Sequence, residues 1–300
     1  MTKKIIEINE NIYENTKFYN QNIYVINGAI CVKTGTKLTI EDDTEIFIKN
    51  GLFKDEFNTN FIRSKFIFES GSILKADKVY FKACDSKNCV VKVAENGGIY
   101  FVGTYLFTEK DSIATNQDAP LSYFKANLIN TSYLGSADLV SVDEDTEYLS
   151  NIDDYDAINV IGVSEDEWKI KKIYSEYSGD DGFDVQNSNI TVKSIKVIKP
   201  AEDGLNIVSS TVTITKKLEI NMSITDKTDR DIFDLENDTR YSLIRLLKNC
   251  RVNIYGIFGD QLILSSQDLP PFKCTVEYKF RGRSKNGETL IFTTDYLTDN

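Results

Sequence analysis

The chain has 300 residues, of which 41% are hydrophobic, with 17 Phe and 16 Tyr; that is ample for an aromatic-filled interior and excludes a disordered chain. A formal charge of −11 argues against nucleic acid, whose affinity rests on neutralised phosphates, and against anionic membrane surfaces. The complete absence of His removes His-dependent triads, His-metal sites and His general bases at once.

Taken in order, residues 1–22 are polar, with Ile5, Ile6, Ile8 and Ile12 as the apolar minority, and read as an N-terminal cap with an edge strand. Residues 23–50 alternate (Tyr24, Ile26; Ile30, Val32; Leu38, Ile40; Ile46, Ile48) and break at Asn27-Gly28, Thr34-Gly35-Thr36 and Glu41-Asp42-Asp43, which predicts short strands and tight corners. Residues 51–63 interrupt the rhythm as an excursion, after which Leu74, Val79, Phe81 and Asn96-Gly97-Gly98-Ile99 resume it. A second excursion spans 103–154; it carries the acidic run Asp143-Glu144-Asp145-Thr146-Glu147 and one coil-like stretch, Ser122–Ile129.

The next stretch repeats itself. Asp181-Gly182-Phe183-Asp184-Val185 recurs as Asp203-Gly204-Leu205-Asn206-Ile207, and 203 − 181 = 22. Asp156-Ala157-Ile158-Asn159-Val160, Asp231-Ile232-Phe233-Asp234-Leu235 and a looser copy from Asp260 extend the column. A fixed period in the low twenties marks one supersecondary unit stacked on the next. In each copy the apolar pair faces inward and the polar residue between them outward, because successive strand side chains alternate. Gly182 and Gly204 are expected at corners with φ > 0, each preceded by an Asp that closes an Asx-turn on its own backbone. Residues 237–249 hold the cluster Leu243, Ile244, Leu246 and Leu247, which suits one short helical turn. Pro270-Pro271 ends the repeat, and the runs flanking Lys285-Asn286-Gly287 read as a capping hairpin. The expected fold is all-β: a right-handed parallel β-helix over 23–268, with a C-terminal cap over 269–300.

The opening residues Asn27-Gly28, Ile30, Val32, Gly35, Leu38-Thr39-Ile40-Glu41, Thr44 and Ile46 resemble the first coils of bacterial right-handed parallel β-helix repeat proteins. That resemblance covers about thirty residues and implies fold, not activity, since this architecture carries many functions. Gly179-Asp180-Asp181-Gly182-Phe183-Asp184 with Glu202-Asp203 is similar to the acidic coils of polygalacturonases. The similarity implies acid and base roles for Asp181, Glu202 and Asp203. Glu202 stands where that family has Asp, and its Gly-His-Gly has no counterpart here.

Three chemistries therefore compete for the acidic edge. Carboxyls about 6.5–9.5 Å apart on adjacent rungs suit inverting glycoside hydrolysis. Alternatively Asp180, Asp184, Asn206, Asp231 and Asp234 form a ligand-binding row with Trp168 as a sugar platform. The same outward oxygens suit Ca²⁺, with Asp184 and Asp234 as the metal residues. Lys171, Lys193 and Arg230 are the cations expected to interleave with the acids. The leading expectation is a non-catalytic scaffold or binding module for a carbohydrate polymer or a protein surface, with a homo-oligomer as one option; a glycoside hydrolase is the alternative.

Cys31, Cys84, Cys89, Cys250 and Cys274 form no disulfide framework. No apolar h-region or membrane-length run is present, so the expected location is the cytoplasm or export by a non-standard route.

Overall fold

The computed structural model describes residues 3–54, 61–136, 155–222, 232–236, 238–247, 250–256, 278–283 and 290–293. The protein is a parallel β-helix. Its chain winds repeatedly through three sheets, so that each strand pairs in parallel with its equivalents one turn earlier and one turn later. A long sheet begins Lys4–Ile8, Asn22–Ile26, Thr44–Lys49, Lys78–Cys84, Leu128–Ser132, Lys172–Glu176, Asn189–Ile198 and Thr211–Asn221. A seven-stranded sheet stacks Ala29–Val32, Lys65–Phe68, Ile99–Val102, Ile158–Ile161, Asp184–Gln186, Leu205–Val208 and Phe233–Glu236. A five-stranded sheet runs from Thr16–Phe18 to Trp168–Ile170. Beyond it, the first half of the ten-residue strand Asn189–Ile198 continues the wall, paired with Thr211–Asn221 through a register that is irregular between Val192 and Ser194.

Period-2 alternation explains the core. In the seven-stranded sheet Val32, Phe68, Phe101, Val160, Val185, Ile207 and Leu235 occupy one inward column, each in register with the next. Phe183, Val185, Leu205 and Ile207 are fully buried, as the repeat demands. Stacked like residues contact one another at a rung spacing of about 4.8 Å, and Phe68 lies parallel to Phe101 at 5.3 Å.

Residues 4–18 touch all three sheets through Lys4–Ile8, the Ile12–Val32 bridge and Thr16–Phe18, and Lys4–Ile8 is the edge strand of the long sheet. Several local expectations are overturned. Leu243–Leu246 is a strand, parallel to Thr211–Ile214, because the open edge of that strand offers backbone partners that a lone helical turn lacks. The two C-terminal runs do not pair with each other: Tyr278–Arg283 lies antiparallel to Arg251–Gly256, and Leu290–Thr293 antiparallel to Leu243–Leu246. Each run closes a different exposed strand edge.

Gly182 and Gly204 do not have positive φ. They are small for a packing reason: a Cβ would sit 2.3 Å from Val197 Cγ1 at the first and 2.7 Å from Ile232 O at the second. The left-handed corners fall instead at Gly162, Asn187 and Ser209 after the seven-stranded sheet, and at Tyr133, Tyr177 and Lys199 after the long sheet. Asp231, Arg230, Cys274, the copy from Asp260, the run 143–147, Pro270-Pro271 and Lys285-Asn286-Gly287 lie outside the described residues. Cys31, Cys84, Cys89 and Cys250 are free thiols.

Candidate functional site

Within the second excursion, the described residues 103–122 stay on the solenoid. They fold back over the outer face of the seven-stranded sheet as a strap, with Glu109–Lys110 and Ile113–Ala114 paired antiparallel at its tip. Glu167 fixes both ends of the strap. Its Oε1 accepts from Thr104 N (2.9 Å), Thr104 Oγ1 (2.8 Å) and Ser122 N (3.1 Å), while its Oε2 accepts from Ser164 N and Oγ, each at 2.9 Å. This carboxylate is fully buried, and the five donors make that burial tolerable. Gly162 admits the strap, since a Cβ there would meet Thr115 Cγ2 at 2.5 Å and Leu106 O at 2.7 Å. Ile113 packs on a small second core of Ile67, Tyr100, Val102, Tyr155 and Ile161.

The outward column of the seven-stranded sheet reads Tyr100, Asn159, Asp184, Asn206, Asp234, in register from rung to rung, and the strap reaches it at Tyr100 and Asp184. Asp184 points away from the coil interior, as alternation requires, yet it is 1% exposed because the strap covers it. Lys110 Nζ reaches down from the strap to Asp156 Oδ2 at 2.6 Å and Asp184 Oδ2 at 3.2 Å. The neighbouring Asp111 accepts a hydrogen bond from Tyr100 Oη at 2.5 Å. Lys110 is thus the cation among these acids, rather than the expected Lys171, whose Nζ donates to Asn127 Oδ1.

Asp156, Asp181 and Asp203 form the adjoining corner column, and Asp181 Oδ1 accepts from Asp203 N at 2.8 Å. The bond links one coil to the next, whereas an Asx-turn would have closed within a coil. One carboxylate oxygen from each of Asp156, Asp181 and Asp184 lies within 4.8 Å of the others, and Asp180, Asp181 and Glu202 form a second such group. Burial, then the nearby Asp156 and Asp203 charges, hold Asp181 well above the usual carboxylate range. Burial pushes Asp184 up to about 7 against the opposing pull of Lys110. Burial works against the charged form of Lys110, but Asp156, Asp184 and Asp111 outweigh it and raise its pKa well above the usual lysine value.

The sequence-derived site is therefore partly brought together and partly dispersed. Asp180, Asp181, Asp184 and Asp203 cluster, but at 4%, 4%, 1% and 8% exposure they do not open to a polymer. One oxygen of Asp181 and one of Glu202 lie within 4.8 Å of each other. Asp184 shares its cluster with Asp156, whereas Asp234 stands two rungs away across Asn206. Trp168 lies inside the coil, 3% exposed and edge-on to Phe101 at 5.5 Å, so it offers no sugar platform. Sequence reasoning missed Lys110 and Glu167: both act from or on an aperiodic segment, where repeat matching gives no signal.

A different surface is open. Facing away from the core, the long sheet carries the column Glu45, Tyr80, Asn130, Tyr174, Lys196, Glu219. Opposite charges alternate across it: Lys3 and Lys82 both reach Glu45, at 2.9 and 2.6 Å, and Lys196 sits between Glu176 and Glu219. At its rim Tyr133 and Tyr177 stack with ring centroids 4.8 Å apart and planes within 3°, and Lys199 Nζ lies 5.8 Å from the Tyr177 centroid.

Burial raises the Glu45 carboxyl, but hydrogen bonds from Lys82 and Lys3 outweigh it and hold the group below its ordinary value of 4.5. A depressed folded-state pKa contributes stability above the unfolded value, lost as pH falls through the folded one. Glu45→Gln is therefore expected to flatten the acid limb of a melting-temperature profile between about pH 6 and about pH 3, with a small loss at neutral pH; an acid limb as steep as that of the parent protein would exclude this ion pair as a contributor.

These features define a parallel β-helix protein with a strapped, buried acidic cluster on one face and an open tyrosine-bearing face on another. No protein-family model, curated protein or solved structure matches the chain.

Proposed function

We propose that this protein is a non-catalytic binding module that holds a near-neutral carbohydrate polymer along the outer face of its long sheet. The observation that carries this reading is the tyrosine pair at the rim. Tyr133 and Tyr177 take φ of 58° and 56°, a left-handed conformation that costs a bulky residue about 1 kcal/mol or more. Two such residues on consecutive rungs, stacked on each other, hold aromatic rings at a fixed place beside the sheet. Aromatic rings with a hydroxyl handle suit the apolar faces and hydroxyl groups of sugars. Tyr80 and Tyr174 extend the aromatic surface at two rungs' separation, about 9.6 Å. The alternating Lys and Glu leave this face close to neutral, which favours an uncharged polymer over a polyanion.

Enclosure of Asp181 and Asp203 favours binding over hydrolysis. Affinity electrophoresis through gels containing neutral polysaccharides tests the proposal. The parent protein is expected to be retarded by at least one polymer, and the Tyr133→Ala/Tyr177→Ala double variant to lose at least about tenfold in affinity while keeping its circular dichroism spectrum. Equal retardation of both proteins, or retardation by none of the polymers, refutes it; release of reducing ends by the parent protein would favour the hydrolase.

A further inference from the structure

Under the strap the acceptors outnumber the donors. Asn159 is fully buried, and its Nδ2 donates to the Asp156 main-chain carbonyl at 3.3 Å. That bond fixes the amide and leaves Asn159 Oδ1 without a donor. Asp184, its register partner on the next rung, has Oδ2 on Lys110 and an Oδ1 that also lacks a donor. Asn206, one rung further, repeats the pattern with an unpartnered Oδ1. Aligned, buried acceptor oxygens of this kind are costly unless something positive or hydrogen-bearing meets them.

Charge points the same way. Asp156, Asp181 and Asp184 bring three carboxylates together, and Lys110 is the cation placed on two of them. Fully ionised, the group has two negative charges in excess. One divalent cation cancels that excess.

Distance and ligand type agree with it. Two ligands of one Ca²⁺ ion, each about 2.4 Å from it, are at most about 4.8 Å apart, and the three carboxylate oxygens lie within 4.8 Å of one another. The set is all oxygen, carboxylate and amide, with neither thiol nor imidazole, which selects a hard cation. An irregular set on a sheet face suits Ca²⁺ better than the strict octahedron of Mg²⁺.

We propose that Asp156, Asp181 and Asp184, with the Asn159 amide oxygen, form a Ca²⁺ site closed by the strap, in which Lys110 completes the charge balance. The site is separate from the long-sheet face and does not depend on what that face binds. It uses Asp184, as the repeat pattern anticipated, with Asp156 and Asp181 in place of Asp234.

The test uses the full chain, stripped with chelator and dialysed into chelator-free buffer of fixed ionic strength. Calorimetric titration with Ca²⁺ is expected to show one saturable site, and Tb³⁺ in the same site should luminesce when tyrosine is excited, with Tyr100 two rungs from Asp184. Asp156→Asn is expected to weaken Ca²⁺ binding at least about tenfold, while Asp42→Asn, on an exposed turn, leaves it unchanged. Asn159→Asp adds a carboxylate at the same rung and should enlarge the rise in melting temperature that Ca²⁺ produces, a readout that survives if Asp156→Asn fails to fold. No saturable binding by the parent protein overturns the proposal. So does a Ca²⁺-induced thermal shift that Asn159→Asp leaves unaltered, or affinity lost equally in Asp42→Asn.

Discussion

Phe183→Asp is expected to abolish the cooperative unfolding transition of the central coils. Phe183 is fully buried in the main core, with the ladder residues Val160, Val185 and Ile207. The described main-core residues it is grouped with are apolar, so the new carboxylate must stay uncompensated, take up a proton or force the coil open. An unpaired charge at such a position costs about 5 kcal/mol or more, comparable with the whole stability of many domains. In a solenoid the damage reaches the neighbours, because each rung is stabilised by those above and below it. Thermal melts followed by circular dichroism check this; a sharp transition within a few degrees of the parent's would show that Phe183 does not face the core.

The second large effect is expected at Lys110. Lys110→Met keeps the length and apolar stem of the side chain but removes the ammonium held by Asp156 and Asp184. Breaking a buried ion pair from one side strands the partner charge, at a cost of about 3–5 kcal/mol. Here two carboxylates are stranded together, and both are almost fully enclosed. Relief comes from lifting the strap so that water reaches them. The variant should therefore melt at a lower temperature and be cut by protease within residues 103–122 at concentrations that spare the parent protein. Lys110→Arg, which retains the charge, should restore most of both properties. Unchanged melting and unchanged proteolysis in Lys110→Met would mean that the strap is held by Glu167 and Ile113 alone.

Much of the fold was legible in the residues because strand alternation is local. A side chain's inward or outward sense follows from its parity along the strand, so Phe183, Val185, Leu205 and Ile207 could be assigned to the core from the 22-residue repeat, and the structure buries all four. The offset that relates Ile190 to Val212 and Val192 to Ile214 is the observed pairing register. Where the repeat faded, local signals misled. Leu243–Leu246 has helical-looking spacing but lies beside an open strand edge, and edge pairing prevails over a weak propensity. Asn-Gly promised a hairpin between runs that instead pair with two different strands.

The acidic site divides along the same line. The sequence by itself determined that Asp156, Asp181 and Asp203 share a corner and that Asn159, Asp184 and Asn206 share an outward row, since both follow from one repeat. It did not determine what covers that row. Outward from a coil means toward solvent only if no other part of the chain lies there. Lys110 reaches Asp184 from 74 positions away in sequence (184 − 110 = 74), and Glu167 pins the strap through Thr104 and Ser122. Such contacts carry no period and no composition bias, because they join an aperiodic segment to a periodic one. Tertiary structure alone turned a solvated acidic edge into a buried, charged compartment, and left the outer face of the long sheet open.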